Sequence, residues 1–313
     1  MTHSLALICK NSGYLRLASV ALPSLRPGQV LVNVRACGLC RTDLYAIEGR
    51  IRTWHRRFIP GHEFSGVVTE VGPKVSDIAE GMRVVVNPII PCGLCPVCEA
   101  DEAHLCPEFR QMGVDLNGAF CEQVIVSAEQ LYPIPDSLSF EEAAFAEPIA
   151  AALGVMNAKI ELDARGAVMG TSRIARLTWR VLKACGFSQV CLLDNRQAEQ
   201  LEAPGFDFVV ETEMSTEIFN QMVRLIRPGG RIVLKSRQYQ SFEITLRQII
   251  PFQPVIHVVN YGPFQSAVDL LTSMELEVSD LIGDRLSFDE FQSAIEHGQL
   301  DEQLKTFLIP GSL

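Results

Sequence analysis

Residues 166–194 read GAVMGTSRIARLTWRVLKACGFSQVCLLD. An apolar run, GAVMG, precedes a segment with apolar residues at helical spacing, then Gly186 as a helix stop, then a second apolar run, VCLLD. Short apolar runs bounded by glycine read as buried strands. Strand, glycine turn, helix and strand in this order form the nucleotide-binding unit of a doubly wound sheet. The pattern recurs as FDFVVE (206–211), STEIFNQMVRLIR (215–227), the turn Pro228-Gly229-Gly230, and RIVLK (231–235). Alternating strands and helices predict a parallel sheet covered on both faces.

Upstream the texture changes. PGQVLVNVR (27–35) alternates apolar and polar residues, and similar runs occupy 66–71 and 82–86, so the first third is predicted mostly β with Gly/Pro turns. Ser139 and Glu142 have capping-box spacing ahead of AAFAEPIAAALGVM (143–156), which predicts a buried helix bridging two domains. Ser287 and Glu290 repeat the box before a late helix, and KTFLIP (305–310) reads as a closing strand.

The composition bounds the function. At 313 residues the chain exceeds one ordinary core, and 48% hydrophobic with 20% charged residues is globular. The 27 Lys and Arg against 37 Asp and Glu leave a net charge of −10, which repels nucleic-acid backbones and anionic lipid. Mean hydropathy is +0.17, yet no apolar run approaches the ~20 residues of a membrane span. Met1 to Gly13 holds one Lys and no secretory pattern, so a cytoplasmic protein with no membrane or nucleic-acid partner is expected. Ten cysteines in a reducing compartment point to metal or redox chemistry rather than disulfides.

Four of them, Cys92, Cys95, Cys98 and Cys106, fall as C-x2-C-x2-C-x7-C. Short spacing lets the thiolates converge on one ion, and four sulfurs close a tetrahedron, the pattern of structural zinc. An iron–sulfur cluster is the rival, because Cys106 precedes Pro107. A second set is dispersed: Cys40 in ACGLCRTD, His62 and Glu63 in GHEFSG, and Glu147 in AEP. Thiolate, imidazole and carboxylate together suit an open catalytic zinc site, whereas each alone reads equally as a core residue. Cys9, Cys37, Cys121, Cys185 and Cys191 read as small core residues.

The turn Gly170-Thr171-Ser172-Arg173-Ile174-Ala175 departs from G-x-G-x-x-G/A. Gly170 and Ala175 suit the dinucleotide fingerprint, while Ser172 adds a side chain where backbone approaches pyrophosphate. Arg173 at the helix start offers compensation, or else belongs to a solvated stripe with Arg176, Arg180 and Lys183. Asp194 stands where an acid binds the ribose 2′-OH and favours NAD over NADP; Arg196 nearby leaves the choice open. Only eleven residues separate Asp194 from Phe206, too few for the expected helix, strand and helix, so an edge strand is predicted missing. Arg50, Arg52, Arg56 and Arg57 surround Trp54 and His55, a cluster that fits either an anionic substrate group or a solvated loop.

Taken in order, PGQVLVNVRACGLCRTD, GHEFSGVV, the four-cysteine lobe, AEP, the strand-glycine-helix unit and RPGGRIV resemble the zinc-dependent medium-chain dehydrogenase/reductase family, especially its polyol and secondary-alcohol branch. The resemblance spans nearly the whole chain. It implies a GroES-like, mostly-β domain of 1–150 and 276–313 and a shortened Rossmann-type domain of 151–275. It also implies one catalytic zinc, one structural zinc and NAD rather than NADP. By the resemblance Cys40, not Cys37, is the catalytic ligand, with His62 second and Glu147 or Glu63 completing the sphere. Thr42 receives the substrate proton and Asp43 orients His62. Tyr45 stands where the family often has a proton-exit histidine, and Arg41 matches a pyrophosphate contact. The implied reaction is hydride transfer between NAD(H) and a secondary alcohol, polyol or amino sugar and its ketone, in a homodimer or homotetramer. Ser172 and the short gap motivate another reading, a zinc-bearing relative that has lost dinucleotide binding and performs non-redox chemistry or acts as a binding protein.

Overall fold

The computed structural model describes the chain except residues 1, 11–12, 54, 56, 101, 202–204, 238–239, 301 and 312–313. Two compact units emerge: Met1–Glu147 with Ala267–Leu313, and Pro148–Ser266.

In the first unit, the alternation of PGQVLVNVR becomes the strand Gln29–Gly38, whose Val30, Val32 and Val34 are buried while Arg35 is exposed. It lies inside a seven-stranded sheet in the order Leu131–Pro133, Arg83–Val86, Glu63–Val71, Gln29–Gly38, Lys305–Ile309, Ile282–Ser287, and Gln123–Ser127 also pairs with it. KTFLIP therefore forms the last strand of the chain as expected, set between Gln29–Gly38 and Ile282–Ser287. Tyr14–Ala21, His3–Lys10 and Arg57–Phe58 form a second, three-stranded sheet. The core gathers Val30, Val32, Phe64, Val68, Val84, Phe120 and Leu308.

Both capping boxes form. Ser139 Oγ accepts from the Glu142 amide, and the Ser139 amide donates to Glu142 Oε2 at 2.9 Å. The helix they start is short, Phe140–Ala143, and the chain re-enters helix at Ala146–Leu153, with Pro148 in the first turn where no amide is missed. Ser287 and Glu290 cap a 3-10 turn that runs into the helix Phe291–Leu300.

The second unit holds five parallel strands in the order Val190–Leu193, Gly166–Met169, Phe206–Glu211, Ile226–Leu234, Val255–Val258. Consecutive residues point to opposite faces. Ala167, Met169, Val209 and Ile232 join one apolar cluster, and Val168, Phe208, Val210 and Val233 the other, so both faces are buried. Between Val190–Leu193 and Phe206–Glu211 the described residues hold one short helix, Asn195–Gln200. Among the described residues no strand pairs beyond Val190–Leu193, in keeping with the eleven-residue gap. One expectation needs correction: Pro228-Gly229-Gly230 is not a turn between elements. The helix stops at Leu225, and the strand Ile226–Leu234 runs through the glycines with a register shift, Gly229 at φ +73° donating to Phe252 O at 2.7 Å. The residue before proline is disfavoured in helix, so the helix ends before Arg227.

Candidate functional site

The C-x2-C-x2-C-x7-C segment folds around its sulfurs. Gly93 takes φ +73°, Cys95 caps the short helix Pro96–Glu99, and a 3-10 turn Ala103–Leu105 delivers Cys106. The four Sγ atoms lie within 4.8 Å of one another, with Cys92–Cys98 at 4.0 Å, Cys95–Cys98 at 3.4 Å and Cys95–Cys106 at 3.9 Å. Zinc–sulfur bonds of about 2.3 Å give a tetrahedron with edges of about 3.8 Å. One zinc ion fits, and sulfurs this close leave no room for several irons. The amide of Leu94 donates to Cys92 Sγ, and this bond leads the influences that bring the Cys92 thiol down to about 7. This is a structural zinc site.

The second centre is assembled by a helix start and a glycine turn. Cys40 is the N-cap of the helix Arg41–Ile47, and Asp43 in its first turn accepts the Cys40 amide on Oδ2 at 2.9 Å. Gly61 takes φ +95° and donates to Asp43 Oδ1 at 2.9 Å; a Cβ there would lie 2.6 Å from the Phe120 ring. That turn sets His62 and Glu63 at the start of the strand Glu63–Val71. Asp43 Oδ1 also lies 3.0 Å from His62 Nδ1, both side chains fully buried. With Nδ1 so committed, Nε2 faces inward, and it is buried without a hydrogen-bond partner, 4.0 Å from Glu147 Oε1. Ligand atoms of Cys40, His62 and Glu63 lie within 4.8 Å of one another.

The electrostatics fit a cation. Burial pushes the Cys40 thiol up, but the nearby His62 and Lys305 charges outweigh it and bring the thiol to about 7. Burial opposes a charged His62, yet Asp43 and Cys40 hold its proton well above the usual histidine range. Thiolate, imidazole and carboxylate around an orphaned Nε2 form the donor set of an open zinc site, one that leaves a position for water or substrate.

Sequence reasoning missed Lys305. It is fully buried, its Nζ bonds Glu63 Oε2, and 242 residues separate the partners. No local signal marks a pair formed across two strands. Thr42 sits half-buried in the first turn beside Cys40. Tyr45 lies under the Arg50 guanidinium at 5.6 Å, and Arg50 pairs with Glu48 at 2.7 Å. Arg52 and Arg57 are exposed; Trp54 and Arg56 lie outside the described residues.

In the second unit Gly170 takes φ +131°, and a Cβ there would lie 2.5 Å from Thr212 Oγ1. Ser172 folds its hydroxyl back as the N-cap of Arg173–Ala184, accepting from Ala175 at 3.4 Å, which spends the extra side chain on the helix itself. Arg173 and Ile174 are half-buried in the first turn. Asp194 forms a capping box with Gln197, accepting its amide on Oδ1 at 2.7 Å. Arg41 is ion-paired with Glu302. At the end of the central strand, Glu211 accepts the Lys235 and Ser236 amides at 2.7 and 2.9 Å; burial pushes its carboxyl up.

A GroES-like β unit with a closed four-sulfur zinc site and an open Cys/His/Glu centre, together with a unit carrying a parallel sheet and a glycine turn, defines a zinc-dependent, dinucleotide-linked dehydrogenase. The model of the alcohol dehydrogenase GroES-like domain matches residues 26–136. The chain is 32% identical to D-altritol 5-dehydrogenase of Agrobacterium fabrum over 238 residues, 68% of this chain and 70% of that one. It is 27% identical to sorbitol dehydrogenase of Bacillus subtilis over 99% of each. A zinc-binding dehydrogenase of Sinorhizobium meliloti 1021, solved bound to NADP, superposes with a TM-score of 0.89 at 29% identity, covering 99% of this chain and 100% of that one. The chain belongs to the zinc-containing medium-chain dehydrogenases and is an alcohol or polyol dehydrogenase. No helix among the described residues is long and apolar enough to cross a membrane.

Proposed function

We propose that the chain transfers a hydride between NAD(H) and a secondary alcohol of a polyol or amino sugar, giving the ketone, at a metal held by Cys40, His62 and a glutamate. The observation that carries this reading is the buried, unpartnered His62 Nε2 facing Cys40 and two carboxylates. Zinc there would lower the alcohol's pKa, and the nicotinamide ring would accept the hydride.

The chain's own residues divide the remaining work. Asp43 holds the Nδ1 proton, so Nε2 keeps its lone pair for the metal. Thr42, two residues from Cys40, is the hydroxyl that takes the substrate proton, and Tyr45 is the group through which it leaves. Gly170 lets the backbone turn tightly at the start of Arg173–Ala184, whose first amides, at Arg173 and Ile174, bind the pyrophosphate. Asp194 reads the ribose through the oxygen its cap leaves over. Arg41 contacts the pyrophosphate on release from Glu302. The polyol class is supported by the D-altritol and sorbitol dehydrogenases among the relatives. The exposed Arg52 and Arg57 suit an anionic substituent on the substrate.

Titration with NADH and NADPH, followed by nicotinamide fluorescence, tests the reading, and a panel of polyols and amino sugars then finds the substrate. Binding of NADH with NAD-dependent oxidation of a panel member is expected. Failure of both nucleotides to bind would favour a zinc protein without redox activity.

A further inference from the structure

A band of residues crosses five neighbouring strands of the first unit's larger sheet. Arg83, Val67, Arg35, Ile309 and Arg285 stand on Arg83–Val86, Glu63–Val71, Gln29–Gly38, Lys305–Ile309 and Ile282–Ser287, in that order. Val67 pairs directly with Arg83, and Ile309 with Ser287. Arginine thus comes from every second strand, with an apolar residue between. A cavity of about 670 Å³ opens over this band, walled by Phe140 and Glu141 of the helix Phe140–Ala143, and its whole lining belongs to the first unit. The three guanidinium groups are held differently. Arg83 Nη1 donates to Pro135 O at 2.9 Å, and its guanidinium lies 4.4 Å from the centre of the Phe140 ring. Arg285 is bonded to Glu141. Arg35 is exposed and pairs with no carboxylate among the described residues. Glu141 is the one carboxylate in the lining; Asp136, 3.4 Å from Arg83 Nη1, is fully exposed and stands outside it. Three cations therefore face one anion, in a chain whose net charge is −10.

We propose that this cavity binds a small organic phosphate, a dianionic phosphoryl group on an apolar body, at a site separate from the metal centre. The excess of two positive charges in the lining matches a dianion, and phosphoryl oxygens suit the fork of donors that each guanidinium presents. Arg35 has its whole fork to offer, while Arg83 is already fixed by its backbone acceptors. The volume falls within the roughly 300–1,000 Å³ of pockets that take a whole small molecule rather than a lone ion. Val67, Leu286 and Ile309 give the ester's carbon part an apolar floor. The chain's net charge opposes an anionic membrane as the source, so the ligand is a soluble ester. Along its strand Arg35 precedes Cys40 by five residues, about 16 Å of extended chain, which sets the cavity apart from the metal.

The test is calorimetric titration of the full-length protein with phenyl phosphate, inorganic phosphate and benzoate. Phenyl phosphate should bind saturably and more tightly than either of the others, since inorganic phosphate lacks the apolar body and benzoate the second charge. Arg35→Gln should weaken phenyl phosphate about tenfold or more, the effect of losing a charge-assisted hydrogen bond, and leave metal content and NADH affinity unchanged. Arg285→Gln should weaken it likewise. Arg173→Gln, at the start of the helix proposed to hold pyrophosphate, and Cys40→Ser, at the metal, should bind phenyl phosphate like the parent. Absence of saturable binding overturns the proposal, and so does affinity that survives Arg35→Gln or is lost in Arg173→Gln or Cys40→Ser, because the ester then sits in the dinucleotide or metal site. Benzoate or inorganic phosphate binding as tightly as phenyl phosphate overturns the ligand class. Arg35 holds no other side chain among the described residues, so its variant decides the matter even if Arg285→Gln, which strips Glu141 of its partner, does not fold.

Discussion

Asp43 and His62 form a fully buried pair, Oδ1 to Nδ1 at 3.0 Å, and the same carboxylate ties down the Cys40 and Gly61 amides. One side chain thus orients two metal ligands and the turn that presents one of them.

Asp43→Asn should weaken metal binding at this centre by about 10- to 100-fold, the usual cost of losing a partner that orients a metal-bound histidine. Competition with a chelator measures it. Unaltered affinity would mean that packing alone holds His62.

Metal content separates the two sites. Elemental analysis of the parent should find about two zinc ions per chain, from four-sulfur and open-site coordination. Cys92→Ser should chiefly harm folding, because binding energy at a closed site is folding energy. Cys40→Ser should fold and lose turnover. Iron in place of zinc, or loss of stability alone in both variants, contradicts the assignment.

Affinity at the Cys40 centre should rise with pH. In the metal-free protein His62 holds a proton well above the ordinary histidine range, and Cys40 has its thiol brought down to about 7. A metal must displace the His62 proton and, below about 7, the Cys40 proton as well, so apparent affinity falls as pH falls. The two groups act on metal-free stability with opposite signs. The raised His62 contributes below its unfolded value and loses that contribution as pH rises through its folded value, whereas the lowered Cys40 loses its share as pH falls through about 7. Isothermal titration in buffers of differing ionisation heat should show protons released on zinc binding. Zinc uptake without proton release would refute this account of His62 and Cys40.

Asp194 serves both as a helix cap and as the proposed ribose contact, and two substitutions part the roles. Asp194→Asn keeps a good N-cap and removes the charge, so stability should hold while preference for NAD over NADP erodes. Asp194→Ala should also cost about 1 kcal/mol of stability. Thermal unfolding with paired NADH and NADPH titrations reads both effects. An unchanged NAD/NADP ratio in Asp194→Asn rules out the ribose role.

Gly170→Ala would place a Cβ 2.5 Å from Thr212 Oγ1 at φ +131°. About 1–3 kcal/mol of stability should be lost, with nucleotide binding lost alongside. A variant that binds NADH like the parent would remove Gly170 from the site.

Much of the fold was legible because its determinants are local. Alternation in 27–35, capping boxes at Ser139 and Ser287, the glycine after 166–169 and the cysteine spacings each act within a few residues, and all form. The missing edge strand was legible too, because chain length is a hard limit: eleven residues cannot cross a sheet twice. RPGG was misread because its turn chemistry is real but local: residues 227–230 bulge between the paired Ile226 and Arg231 without ending the strand Ile226–Leu234.

The sequence by itself determined the residue types available for metal binding and the short-range turns that aim them. Tertiary structure decided which groups are spent on one another: Lys305 on Glu63, Arg41 on Glu302, Asp43 on His62 and Gly61. The physical reason is that spacing governs closure of short loops, so the four cysteines declare themselves. A buried charge, by contrast, takes its partner from whichever strand the sheet register brings alongside, and nothing in the residues flanking Glu63 specifies that this partner is Lys305, 242 residues away.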